Sequence, residues 1–196
     1  MTRARAKTNV VKRIEDSIAV KQRLLRDEDC LTMLSNVGML MVDALQKGHK
    51  FFFMGNGGSA ADAQHLTAEF TGRYLRERTP LPAIALTVNT SSLTAIGNDY
   101  SFDMVFARQL QALGAEGDVA FGLSTSGNSG NVLRAMEAAK AKRMITVGLT
   151  GESGGLLREC VDYCICAPSG ETPRIQEAHI MIGHLLCEIV EDELFG

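Results

Sequence analysis

From Lys50 to the C-terminus, short apolar runs alternate with segments of helical period. The runs at 50–54, 83–87, 118–123, 144–149 and 162–167 predict strands, and the segments at 58–71, 91–97, 102–113, 129–142, 154–159 and 173–193 predict helices. A strand–helix alternation of this kind admits few folds. Each helix carries the chain back over the sheet, so successive strands run parallel and both faces become covered. The expectation is an α/β doubly wound, five-stranded parallel sheet with flavodoxin-like order. Ligands of such sheets bind beyond the strand C-terminal ends, near the point where strand order reverses. The first fifty residues read differently. Ile14, Ile18, Leu24 and Leu25 form an imperfect apolar stripe, and Leu31, Leu34, Val37, Met41, Val42 and Leu45 a better one. They predict N-terminal helices over about 8–48, after a frayed basic start, packed on the sheet or on another subunit. Residues 1–196 are expected to form one domain.

Two of the predicted strand-to-helix turns are rich in glycine and hydroxyl groups. One reads Gly55-Asn56-Gly57-Gly58-Ser59, and the other Ser124-Thr125-Ser126-Gly127-Asn128-Ser129. Backbone N–H groups at a helix N-terminus lack intrahelical partners and carry partial positive charge. Glycine lets that backbone approach an anion, and hydroxyls add donors without fixed charge. A helix cap uses one hydroxyl, whereas the second turn supplies four, so it reads as a phosphate cradle. Neither turn reads G-x-x-x-x-G-K-[ST] or G-x-G-x-x-G, so no nucleotide cofactor is expected.

The net charge of −3 and the lack of a long basic run argue against nucleic acid as partner. No apolar run reaches membrane-spanning length, and the N-terminus lacks the apolar core of a signal peptide. Five cysteines, an odd number, fit reduced thiols in a cytoplasmic protein. Cys164-x-Cys166 without a second pair is a weak metal signal.

On the predicted helix 58–71, Asp62, His65 and Glu69 fall within about 60° of one another. A histidine and a glutamate four residues apart can form a surface ion pair, chelate a metal or move protons together. The last helix, with Thr172 as its expected cap and Pro173 at its first position, is apolar nearly all round. It carries Gln176, Glu177, His179 and His184. A buried His184 needs a partner, and Glu177 lies near it in projection; His179 points elsewhere and receives no role.

These motifs, together with Thr71-Gly72-Arg73-Tyr74 and Gly97-Asn98-Asp99, resemble the phosphoheptose isomerases along nearly the whole chain. That family has the sugar-isomerase (SIS) fold and converts sedoheptulose 7-phosphate into D-glycero-D-manno-heptose 7-phosphate, the first step of activated-heptose biosynthesis. The resemblance implies a catalytic acid/base pair of Glu69 and His184. It assigns Ser59, Ser124, Thr125, Ser126 and Ser129 to the substrate phosphate. Asn56, Gly57, Gly58, Asn98, Asp99 and Gln176 would hold the sugar chain, with Glu69 also touching substrate. In some members the matching positions bind zinc, which here implies His65, Glu69, Gln176 and His184 around one ion per subunit. It also implies a cytoplasmic homotetramer with sites at subunit interfaces. A similar fold with nearly the same motifs occurs in a non-catalytic tetramer that binds the replication initiator DnaA. Retention of Glu69, Gln176 and His184 together favours the enzyme. A phosphosugar-sensing regulator is disfavoured, since no DNA-reading segment accompanies the domain.

Overall fold

The computed structural model describes residues 3–196. Two long helices, α1 (Arg3–Leu24) and α2 (Glu28–Gln46), precede the sheet. The helical segment thus starts at Arg3, earlier than the expected frayed start, while Met1 and Thr2 lie outside the described residues. The sheet strands are β1 (Phe51–Gly55), β2 (Ala83–Ala85), β3 (Val119–Leu123), β4 (Ile145–Thr150) and β5 (Tyr163–Cys166). All pair in parallel, in the order β2-β1-β3-β4-β5, which is the expected flavodoxin-like order. After β2 the chain crosses back over β1 and lays β3 on its other side. The order therefore reverses between β1 and β3, and both Gly/Ser turns leave the sheet there.

Alternation along the central strands divides the core in two. Phe51 and Phe53 point to one face, and Phe52 and Met54 to the other. On the first face Phe53 stacks on Phe121 with ring centroids 4.8 Å apart. Met41 and Val37 of α2, Leu66 and Phe70 of α3 (Gly58–Thr71), and Ile182 and Leu186 of α8 (Thr172–Phe195) close over them. The second face is covered by Phe106 and Leu110 of the α5 region (Ala107–Leu113) and by Val132 and Met136 of α6 (Gly130–Ala141). Burial of the central strands on both sides is why they read as continuous apolar runs.

Between β2 and β3 lies α4 (Thr90–Asp99), none of whose residues is buried. The helix expected over 102–113 is broken into a single 3-10 turn at Phe102–Met104 and α5. Val105, Phe106 and Ala107 are all buried. Three consecutive residues of a straight α-helix fan over about 200°, so one core-facing stripe cannot hold them. α7 (Gly155–Cys160) connects β4 to β5. α8 begins with Glu171, not Thr172, as its cap, and Pro173 occupies its second position; the carbonyl of Glu171 already accepts the N–H of Ile175. α1 packs only its inner edge, through Val20 and Leu24, and leaves Val10, Ile14 and Ile18 about half exposed.

Candidate active site

The β1–α3 turn is shaped by glycine. Gly57 has φ +55°, and a side chain at Gly58 would run into the Gln176 amide, which α8 brings over the N-terminus of α3. Ser59 is buried in the first turn. Asn56 and Asn131 exchange side-chain amide hydrogen bonds of 2.8 Å, tying this turn to the start of α6.

The β3–α6 turn lies alongside. Gly127 has φ +68°, and a side chain there would collide with the carbonyl of Gly154. None of the four hydroxyls caps α6: Ser129, at the cap position, instead meets the Ser124 hydroxyl at 2.9 Å. Ser126 Oγ accepts the N–H of Asn128 at 3.1 Å, which rounds the turn. Thr125 is half-buried and Ser126 exposed. α3 likewise starts without a side-chain cap, whereas α2 and α4 are capped by Asp27 and Asn89. At these two helix N-termini at the switch point no cap side chain lies over the first-turn N–H groups, an arrangement open to an anion.

Beside these turns, α3 and α8 bring three metal-capable side chains together. His65 Nε2 is 2.9 Å from His184 Nε2 and 3.2 Å from Glu69 Oε1. One ligand-type atom from each of the three lies within 4.8 Å of the others. Two neutral imidazoles can face each other through Nε2 only if one donates its proton to the other. With both lone pairs free, they face a common centre with the Glu69 carboxylate as third donor. This set of nitrogen and oxygen donors fits a zinc-type cation; the Gln176 amide lies over Gly58, at the start of α3. The ring of Tyr74 covers His184, with centroids 5.3 Å apart.

The profile of the SIS domain matches residues 14–151. A phosphoheptose isomerase of Campylobacter jejuni is 55% identical over 181 residues, covering 92% of this chain and 90% of that one. The chain belongs to the phosphoheptose isomerase family of SIS-domain proteins. The phosphoheptose isomerase of Aneurinibacillus thermoaerophilus is 52% identical, with 93% and 92% covered. In three dimensions the chain resembles the phosphoheptose isomerase of Neisseria gonorrhoeae with a TM-score of 0.90 and 42% identity, over 95% of this chain and 99% of that one.

Other residues singled out from the sequence fall elsewhere. Asn98 and Asp99 end the exposed helix α4, where the Asn98 amide donates to the Asp99 carboxylate at 2.9 Å. Glu177 is not the partner of His184: it pairs with Arg174 one turn back, and His184 meets His65. Asp62 shares the helix face as expected. One of its carboxylate oxygens is buried without a partner, and burial pushes its carboxyl up against the opposing pull of His65.

His179 is the residue that sequence reasoning missed. It is fully buried, and its Nε2–H donates to the carbonyl of Thr150 at 3.0 Å. The next amide, Gly151 N–H, donates to Thr125 O of the phosphate-type turn. His179 thereby fixes the strand end on which that turn rests. Burial pulls its pKa down to about 4, against the Thr150 hydrogen bond. The unfolded chain takes up this proton near pH 6.5, the folded protein only near pH 4. The stabilisation is therefore complete above pH 6.5 and is lost on acidification, by about 3 kcal/mol at pH 4. Proton-detected titration should show the His179 ring neutral at pH 5; a midpoint near 6.5 would contradict this burial.

Proposed function

We propose that this chain isomerises sedoheptulose 7-phosphate to D-glycero-D-manno-heptose 7-phosphate through an enediol. The observation that carries the reading is the meeting of Glu69 and His184, from two helices distant in sequence, beside two phosphate-type turns. Moving a carbonyl to the adjacent carbon requires a proton to leave one carbon and another to arrive next to it. Glu69 takes the first proton. His184 returns or shuttles the second, since an imidazole can both accept and give up a proton. His65, in contact with both, holds their relative positions. Ser59, Ser124, Thr125, Ser126 and Ser129 hold the phosphate, and Asn56, Gly57, Gly58, Asn98, Asp99 and Gln176 line the sugar.

The same reading assigns His65, Glu69, Gln176 and His184 to one zinc ion per subunit. When bound, it supplies Lewis-acid polarisation of the sugar oxygens. A carboxylate engaged by a cation is a weaker base, so either Glu69 would keep one oxygen free for the proton or its metal-holding and proton-accepting roles would be alternatives.

Residues 1–196 act as one unit in a cytoplasmic homotetramer with sites between subunits. Two features support the assembly. The exposed apolar edge of α1 is Val10, Ile14 and Ile18, and α4, which carries Asn98 and Asp99, has no buried residue. Apolar surface of this kind fits an interface. Among the described residues no helix is long and apolar enough to cross a membrane.

The deciding experiment incubates the protein with sedoheptulose 7-phosphate in deuterated water. The expected result is the aldose phosphate carrying solvent deuterium at one carbon; no conversion would refute the proposal. A second expectation concerns the phosphate. Replacing both Ser124 and Ser126 by alanine should raise KM at least tenfold with kcat little changed, since each hydrogen bond to a charged group contributes about 1.5–3 kcal/mol. An unchanged KM would remove the phosphate from that turn.

A further inference from the structure

The edge strand β5 carries Cys164 and Cys166 on one face, with their sulfurs 3.8 Å apart. Thr150 of the neighbouring strand places its hydroxyl 3.2 Å from Cys166 Sγ and 3.8 Å from Cys164 Sγ. Both thiols open on a cleft of about 370 Å³ walled by Asp27, Asp29, Cys30, Glu152 and Arg158. Three carboxylates against one guanidinium give the cleft a net negative charge. It is separate from the cluster of His65, Glu69 and His184, none of which lines it.

Two chemistries suit a pair of thiols: closing a bond, or sharing a cation. A disulfide needs sulfurs about 2.05 Å apart and Cβ atoms about 3.5–4.5 Å apart. Residues two apart on an extended strand stand about 6.6 Å apart, near the limit a disulfide spans, so closing one would bend β5. A cation requires no such movement. Two sulfurs each about 2.3 Å from a tetrahedral metal stand about 3.8 Å from one another. The separation observed already has that value, and the acidic wall favours a positive ligand over an anionic one.

We propose that Cys164 and Cys166 chelate a thiophilic divalent cation of the zinc–cadmium type in this cleft, outside the catalytic cluster. Binding forms two metal–sulfur bonds and releases any proton still held by the pair to solvent; no electron is transferred. Among the described residues, no third His, Cys, Asp or Glu ligand atom lies within 4.8 Å of both sulfurs. Water therefore completes the shell, which makes the site open and exchangeable rather than a closed structural one.

Cadmium is the probe, because a thiolate ligand gives it a near-ultraviolet charge-transfer band that imidazole and carboxylate ligands do not. Titrating the full chain should develop this band to one equivalent. Cys164→Ser and Cys166→Ser should each abolish it, and His65→Ala should leave it intact. A band that survives either serine variant, or that never appears in the wild type, would overturn the proposal. Alkylation mapping of the unaltered protein gives a second readout without variants. Cadmium or zinc should slow modification of Cys164 and Cys166 at least tenfold and leave Cys160 unaffected; equal rates with and without metal would also overturn it.

Discussion

Glu69→Gln should leave sedoheptulose 7-phosphate bound and lower kcat by about 10²-fold or more, the scale of a lost general base. The exchange keeps the side chain's shape and one of its oxygens. His65, 3.2 Å from Glu69 Oε1, therefore retains a partner and α3 keeps its place. What disappears is a carboxylate able to accept a proton from carbon. Washout of the substrate C–H hydrogen into deuterated water should fall with kcat, because both need that first transfer. KM should stay within a few-fold, since the turn after β3, which is proposed to hold the phosphate, is untouched. Metal content, measured on the same preparation, separates the two roles assigned to Glu69. If zinc is lost and added zinc restores turnover, Glu69 serves as a ligand and not as the base. Turnover near the wild-type rate in the variant would sink the proton-transfer scheme altogether.

Much of this architecture was legible in the sequence because local pattern and global fold agree. The central strands read as apolar runs because both of their faces are covered. The turns after β1 and β3 could be singled out because glycine and hydroxyl residues at a strand-to-helix junction have a local physical meaning. His65 and Glu69 share a face because helical geometry alone places them so. What stayed hidden depends on which distant segments meet. Projection down α8 suggested Glu177 for His184, but projection sees only one helix; the partner is His65 on α3. His179 looked idle because its role is to reach the carbonyl at the end of β4, a position set by topology. The break at 102–106 came from three successive core residues, whose common burial no helical periodicity could report. Arg78 and Glu191, more than a hundred residues apart, gave no sign of pairing.

That last pair is expected to be among the most sensitive points of the fold. Glu191 is 2% exposed and accepts the backbone N–H groups of Tyr74, Leu75 and Arg76, each at 2.9 Å, and Nε–H of Arg78 at 2.8 Å. Arg78, equally buried, donates to the carbonyls of Glu69, Phe70, Gly72 and Thr79. One ion pair thus satisfies the end of α3 and the strap that follows it, and holds Tyr74 over His184. Glu191→Ala would leave a buried guanidinium unpaired and three amides without acceptors. Removing one partner of a buried pair costs about 3–5 kcal/mol. For a chain of this size that corresponds to a fall in Tm of about 6–20 °C. Replacing both residues, by Arg78→Met and Glu191→Leu, should recover only part of this, because the amides of Tyr74, Leu75 and Arg76 remain unsatisfied. The pH dependence has the same sign as that of His179 but lies at lower pH. Burial pushes the Glu191 carboxyl up, but the three amides and Arg78 outweigh it and hold it below the ordinary glutamate value. The unfolded chain then binds the proton first, so this contribution is complete above about pH 4.5 and is lost only as pH falls further. Acid unfolding should therefore begin with the His179 range and steepen below pH 4.5. In Glu191→Gln the steep lower limb should vanish while the upper one remains. A variant whose Tm moves by less than 2 °C, or whose lower limb is unchanged, would show that this pair does not anchor the strap.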